Sequence, residues 1–251
     1  MKIVVKEISE NYNISREPLI KSGIKLISMF LLIIITLYVF LIIIGNILVN
    51  YISIETEKKW FGDSFLSEFK INNDLTKQLR GILGSDFKYD IYVANLGEEN
   101  AYTLPGAKII ISESLYNNIE HKNSLLFIVG HEVAHLENRD VLKKIFSDFP
   151  IKILLIVLGI NDDIGYSVNG ITNIYSKNIE YSADKKAIDF VYNYSLDVGC
   201  SLDFFENNNS LLDNVSSFAS SHPITKSRID KIKTLIKEKG YNSNSCELLR
   251  D

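Results

Sequence analysis

The chain has 251 residues and a formal charge of −4, with 46% hydrophobic and 11% aromatic residues. That length holds one good-sized domain plus an appendage, and a mildly acidic chain without a basic, aromatic-interleaved patch gives no case for a nucleic-acid partner. Its two cysteines, Cys200 and Cys246, lack C-x-x-C or other metal-type spacing, so they are poor ligand candidates and leave both pairing and redox compartment open.

Residues 1–25 form a polar tail of mixed charge that ends with Lys21 and Lys25. Residues 26–49 carry no charge and are rich in Ile and Leu; at about 1.5 Å per residue they span a bilayer core of about 30 Å. A core helix is rarely apolar all round over such a length. A cleaved signal would be shorter, begin nearer Met1 and end in a small-x-small site. We expect an uncleaved transmembrane anchor over 26–49, with the lipid bilayer as partner, and a single domain over 50–251. Arg16, Lys21 and Lys25 precede the span while Lys58 and Lys59 follow it. The positive-inside rule then favours a single-pass cell-membrane protein with its domain on the non-cytoplasmic side.

Residues 50–86 read as helical and mixed in polarity, with Gly81 and the Gly84-Ser85-Asp86 run as breakers. Residues 89–93 alternate like a strand, a polar turn follows over 95–100, and 108–112 form a second strand. Between them Pro105-Gly106 ends a strand-like piece over 100–106 and suggests a bend on a sheet edge, since proline cannot serve a central strand; an ordinary hairpin is the alternative. After the next helix, Phe149-Pro150 breaks the pattern. Residues 151–160 make an apolar run containing Lys152, too short to span a membrane, which suits a buried helix or a segment dipping into the interface. Asn161-Asp162-Asp163 ends it. A helix is expected over 178–194, then a loop rich in Asn and Ser, then an amphipathic helix with Ile229, Ile232, Leu235 and Ile236 on its apolar side and Gly240 as stop.

Within the helix expected over 124–138, where Asn123 or Ser124 is a plausible cap, residues 131–135 read H-E-V-A-H. Positions i and i+4 stack on one helix face, so His131 and His135 can share one metal ion. Glu132 lies one position round, able to reach a water there without being a ligand. An imidazole pair suits zinc, and catalytic zinc commonly takes two histidines and a glutamate. Glu180 is the expected third ligand. Asp184, one turn further along the same helix, could accept the free N–H of a ligand histidine and fix its tautomer. For these two acids the alternative is a solvated acidic face.

H-E-V-A-H, then E-Y-S-A-D, then S-H-P with Arg228-Ile229 six residues after His222, resembles the HtpX and CAAX-prenyl-protease type of zinc metallopeptidase. The stretch N-A-Y-T-L-P-G-A-K-I-I-I-S over 100–112 is similar to that family's segment before its first ligand. The resemblance implies an α+β, predominantly helical, zincin-like metallopeptidase domain with a small β-sheet, preceded by one transmembrane helix. It implies one Zn2+ per chain on His131, His135 and Glu180, with Glu132 as general base and acid in peptide-bond hydrolysis. It implies further that Asn100, Ala101, Tyr102, Thr103 and Leu104 pair with the extended backbone of a protein or peptide substrate. His222 and Arg228 would approach the metal and steady the oxyanion, or His222 would fill the open zinc position in a resting form. Otherwise His222 simply caps the last helix and Arg228 pairs with a carboxylate. Multi-span relatives have several long apolar segments; with one clear span, a single-anchor quality-control or processing protease fits better. Competing readings are a non-catalytic, membrane-anchored peptide-binding protein with a structural or gating zinc, and a hydrolase of a non-peptide substrate.

Overall fold

The computed structural model describes residues 18–157, 176–209, 221–223 and 225–250. Most of the polar tail, the Asn161-Asp162-Asp163 stop with the stretch up to 175, and most of the Asn- and Ser-rich loop lie outside the described residues. Helix α1 (Leu19–Val49) is long and apolar enough to cross a membrane. It begins seven residues before the uncharged run and takes in Lys21 and Lys25, since lysine is a good helix former.

Helix α2 (Ile54–Phe61) is capped by Ser53, and α3 (Asn73–Leu83) by Asn72, whose side chain accepts from Leu75 N. Gly81 does not break α3; the stop is Gly84, in the left-handed region at φ 78°. A short strand β1 (Lys70–Ile71) lies where only helix was expected. Two residues are too few to show a strand's alternation.

Strands β2 (Asp90–Asn95), β3 (Ala101–Leu104) and β4 (Lys108–Ser112) complete a sheet of order β1-β2-β4-β3. The two strands expected from sequence, β2 and β4, are parallel neighbours. The segment between them is itself a strand, β3, antiparallel to β4 on the outer edge. The Pro105-Gly106-Ala107 turn makes that reversal with positive φ at Gly106 and Ala107, so the proline sits at an edge as expected.

Among the described residues six helices follow: α4 (Glu113–Asn118), α5 (Lys122–Glu137), α6 (Asp140–Val157), α7 (Lys177–Ser195), α8 (Asp203–Asn209) and α9 (Lys226–Lys239). α5 is the axis of the domain, buried on every face from Asn123 to Leu136. It starts at Lys122, ahead of both expected caps. Those two side chains are used elsewhere: Asn123 Nδ2 donates to Asp197 O and Gly199 O, and Ser124 Oγ to Cys200 O. α6 runs through Pro150, which was expected to break it. Cys200 and Cys246 form a disulfide, and Leu249 N donates to Glu120 O beside the start of α5. The core joins α3, the sheet, α5, α7 and α9 through residues such as Leu79, Ile109, Phe127, Ile188 and Ile232.

Candidate metal centre

Two helices build the centre. α7 presents Glu180, Ala183, Asp184, Ala187, Ile188 and Val191 as one buried stripe at helical spacing. Opposite it on α5 is Gly130, where a Cβ would come within 2.8 Å of Phe190 Cβ. The missing side chain lets the two backbones approach closely one residue before His131. Small residues at Ala183 and Ala187 do the same from the α7 side. The polar groups of both helices therefore meet in a dry seam.

In that seam His131 Nε2 lies 3.0 Å from His135 Nε2 and 3.4 Å from Glu180 Oε2. Glu180 Oε1 is 3.6 Å from His135 Nε2. His222, placed just before the cap of α9, brings its Nδ1 to 3.1 Å from Glu180 Oε1 and 3.3 Å from His131 Nε2. One donor atom from each of these four side chains lies within 4.8 Å of all the others, and all four are buried. Thr225, not His222, caps α9.

Both histidines of α5 are oriented from behind. His131 Nδ1 is 3.1 Å from Asp184 Oδ1, and His135 Nδ1 is 2.9 Å from Asp140 Oδ2. A carboxylate at Nδ1 holds the proton there and leaves the Nε2 lone pair facing the cluster. Asp140 had no part in the sequence reading. The signal for it was a demand rather than a motif: two ligand imidazoles need two acceptors, and Asp140, five residues after His135, opens the next helix.

Arg228 Nε and Nη2 grip Asp184 at 2.8 and 2.7 Å, while Nη1 reaches Glu180 Oε2 at 3.0 Å and donates to Pro223 O. Its donors are thus committed to Asp184 behind the cluster, to Glu180 within it and to the Pro223 carbonyl. This is the ion-pair alternative for Arg228 rather than the oxyanion contact expected of it.

Glu132 points toward β3. Thr103 Oγ1 stands 2.9 Å from Glu132 Oε2 and 2.8 Å from Glu132 O, so its hydroxyl can donate to either. Glu132 Oε1 is buried and accepts no hydrogen bond from the described residues; the nearest cation-forming group is His222 Nε2 at 3.5 Å. Of the five residues expected to hold substrate, Ala101, Tyr102, Thr103 and Leu104 form β3 and are buried. Asn100 precedes it, donating to Tyr102 Oη and accepting from Ser221 Oγ.

The electrostatics call for positive charge at the centre. Burial disfavours a charged His131, yet its contacts with Asp184 and Glu180 push the pKa up to about 10. Burial would raise the Glu180 carboxyl, but His131 and His222 hold it far below the usual carboxylate range. Asp184 is likewise held down against burial by His131 and Arg228, whereas burial lowers His135. Four carboxylates (Glu132, Asp140, Glu180 and Asp184) crowd one guanidinium and three imidazoles in a space closed to water. A divalent cation in place of the shared protons satisfies the same demand, and an orphaned Glu132 oxygen beside it is a polar atom awaiting a partner. The residues fit a metal.

The sequence profile described as Peptidase family M48 matches residues 71–236, more than half of the chain. The chain belongs to peptidase family M48. Membership in M48 makes it a metallopeptidase by family, and the matched region covers β1 to α9, including every residue of the buried cluster. It is also 23% identical over 163 residues to the mitochondrial metalloendopeptidase OMA1 of Schizosaccharomyces pombe. That alignment takes in 61% of this chain and 48% of the relative, so the chain spans about half the length of the curated relative it matches.

Proposed function

We propose that this M48 member is a membrane-anchored zinc metalloendopeptidase, a single-anchor relative of the HtpX and CAAX-prenyl-protease type, acting on protein substrates in quality control or processing. The observation that carries this reading is the buried meeting of His131, His135 and Glu180 beside a Glu132 carboxylate with one oxygen unengaged. His131, His135 and Glu180 would hold the ion, and zinc bound there would polarise a scissile carbonyl and lower the pKa of water toward about 7. Glu132 takes a proton from the attacking water on its free Oε1 and returns it to the leaving amine. Thr103 fixes the other oxygen of Glu132, and Asp184 and Asp140 keep both imidazole protons on Nδ1, away from the reaction. β3 supplies the edge on which an extended peptide adds as a further strand.

On this reading the arrangement is a resting form. His222 completes a set of four protein donors, and catalytic zinc needs one open position. The β3 residues are buried as well. Withdrawal of His222 frees both a donor position and the space next to Glu132 Oε1.

The domain faces a non-cytoplasmic compartment on this reading. Arg16, Lys21 and Lys25 on the near side of the span support it, as does the Cys200–Cys246 disulfide, which persists where the surroundings are oxidising.

Four protein donors also favour a second reading, a non-catalytic peptide-binding protein with a structural zinc. Glu132 separates the two, because a structural site has no use for a buried carboxylate oxygen that accepts no hydrogen bond from the described residues. Zinc content and casein turnover of the full-length protein and of Glu132→Gln test the proposal. It expects zinc in both and turnover only in the wild type. Zinc-loaded wild type without turnover, even after His222→Ala, points to the structural reading.

A further inference from the structure

We infer that α6 is a second membrane-embedded segment, running back into the bilayer beside α1 and making its contact with lipid acyl chains. Two contacts define how the helices lie. Arg139 Nη2, at the start of α6, donates to Ile52 O just past the end of α1, at 2.8 Å. Seven residues further along α6 and seven residues back along α1, Phe146 packs on Gly45, where a Cβ would stand 3.0 Å from Phe146 Cβ. The two helices are therefore antiparallel and in near-register. Continuing that register to the last residue of α6 sets Val157 level with Ile34, about 16 Å deeper than Phe146 at the α-helical rise. Ile34 is in the middle of the apolar run of α1.

The exposure pattern of α1 agrees independently. Ile34, Tyr38, Ile42, Gly45 and Val49 are buried or half-buried, and their spacing of four, four, three and four places them on one face. Ile44 and Asn46 beside Gly45 are also half-buried, whereas Ile33, Leu37, Phe40, Ile43 and Leu48 are exposed. One face of the membrane helix is thus covered as far as the register predicts α6 to reach. The hydrocarbon core is about 30 Å thick, so an element lying against α1 at this depth shares its solvent. The sequence suits that solvent: residues 149–157 carry a single charge, Lys152. Lys144 and Asp148, in the first half of α6, pair with each other at 3.6 Å, which offsets the charge of the carboxylate that lies beyond Phe146. A Pro inside such a helix is tolerated because neighbouring groups satisfy the freed carbonyl. In this arrangement α5 ends at the membrane surface, and the metal seam stands directly over the bilayer.

The inference rests on α1 spanning the membrane but not on proteolytic activity. It is tested with the full-length protein in phosphatidylcholine vesicles. Trp60, exposed on α2, is first replaced by Phe; single tryptophans are then introduced as Leu154→Trp, Leu155→Trp and Ile156→Trp, which sweep round the helix, with Leu37→Trp on α1 as control. At least one α6 tryptophan is expected to show blue-shifted emission and to be quenched by lipids brominated deep in the acyl chain as strongly as the control. Quenching of all three by aqueous acrylamide, or by neither quencher, overturns the inference while the control is quenched by lipid. A control unquenched by lipid overturns the anchor itself. Far-ultraviolet circular dichroism shows that each variant is folded, and three neighbouring positions keep the result independent of any one substitution.

Discussion

In the proposed mechanism Glu132 and Glu180, which both flank His222, do different work, and their hydrogen bonds explain why. Glu180 has both oxygens engaged by His131, His135, His222 and Arg228, whereas Glu132 has one oxygen that accepts no hydrogen bond from the described residues and another that accepts from Thr103. Glu132→Gln should retain zinc and lose turnover by about 10²–10⁴-fold, the usual contribution of a general base. A hydrogen bond to a charged group is worth about 1.5–3 kcal/mol, so Thr103→Val should lower kcat by roughly ten- to a hundredfold with KM little changed. Thr103→Ser should restore kcat; equal losses in both variants would show that Thr103 only packs. Asp140→Asn should weaken zinc binding by about 10–100-fold through loss of the His135 tautomer, read by chelator competition. At this scale the spacing of His131, Glu132 and His135 was legible because one helix carries all three. Asp140 was not, because its meaning depends on a tautomer, and Thr103 was read as a substrate contact because no sequence pattern shows which way an edge strand faces.

Elements matter here through the closeness of α5 and α7. With Phe190 Cβ 2.8 Å from where a Gly130 Cβ would be, any larger residue forces the helices apart. Gly130→Ala should therefore destabilise the protein by about 1–3 kcal/mol, the cost of overpacking, and weaken zinc binding as Glu180 retreats. Chemical denaturation beside chelator competition checks both, and an unchanged zinc affinity would show that α7 does not set the distance. α7 was readable from its apolar stripe and β4 from its β-branched run. The sheet's order was not, since whether β2 and β4 form a hairpin or a parallel pair depends on where the intervening strand packs. Pro150 misled because proline usually ends a helix, whereas here α6 is held by its packing on α1.

At the scale of the molecule, two tethers frame the M48 domain. α1 holds one end, and the disulfide ties the C-terminal segment to the loop that grips the start of α5. Cys200 and Cys246 are 46 residues apart, and a loop of that size is worth about 4 kcal/mol in the chain-entropy account. Cys246→Ser, or reduction, should lower unfolding stability by about 2–4 kcal/mol in chemical denaturation; no shift would mean the segment is held by its hydrogen bonds alone. The long apolar helix α1 was legible from hydropathy and the pairing of the cysteines was not, because contact across so many residues exists only in the fold.

The account turns on Glu180 as a ligand supplied by a different helix from the histidine pair. Zinc affinity of the full-length wild type and of Glu180→Ala, measured by chelator competition, tests this most directly. One tightly held zinc per wild-type chain is predicted, with affinity falling in Glu180→Ala by more than the roughly 100-fold that losing an outer hydrogen-bond partner causes. A wild type that binds no zinc, or a variant that binds it as tightly, would contradict the account.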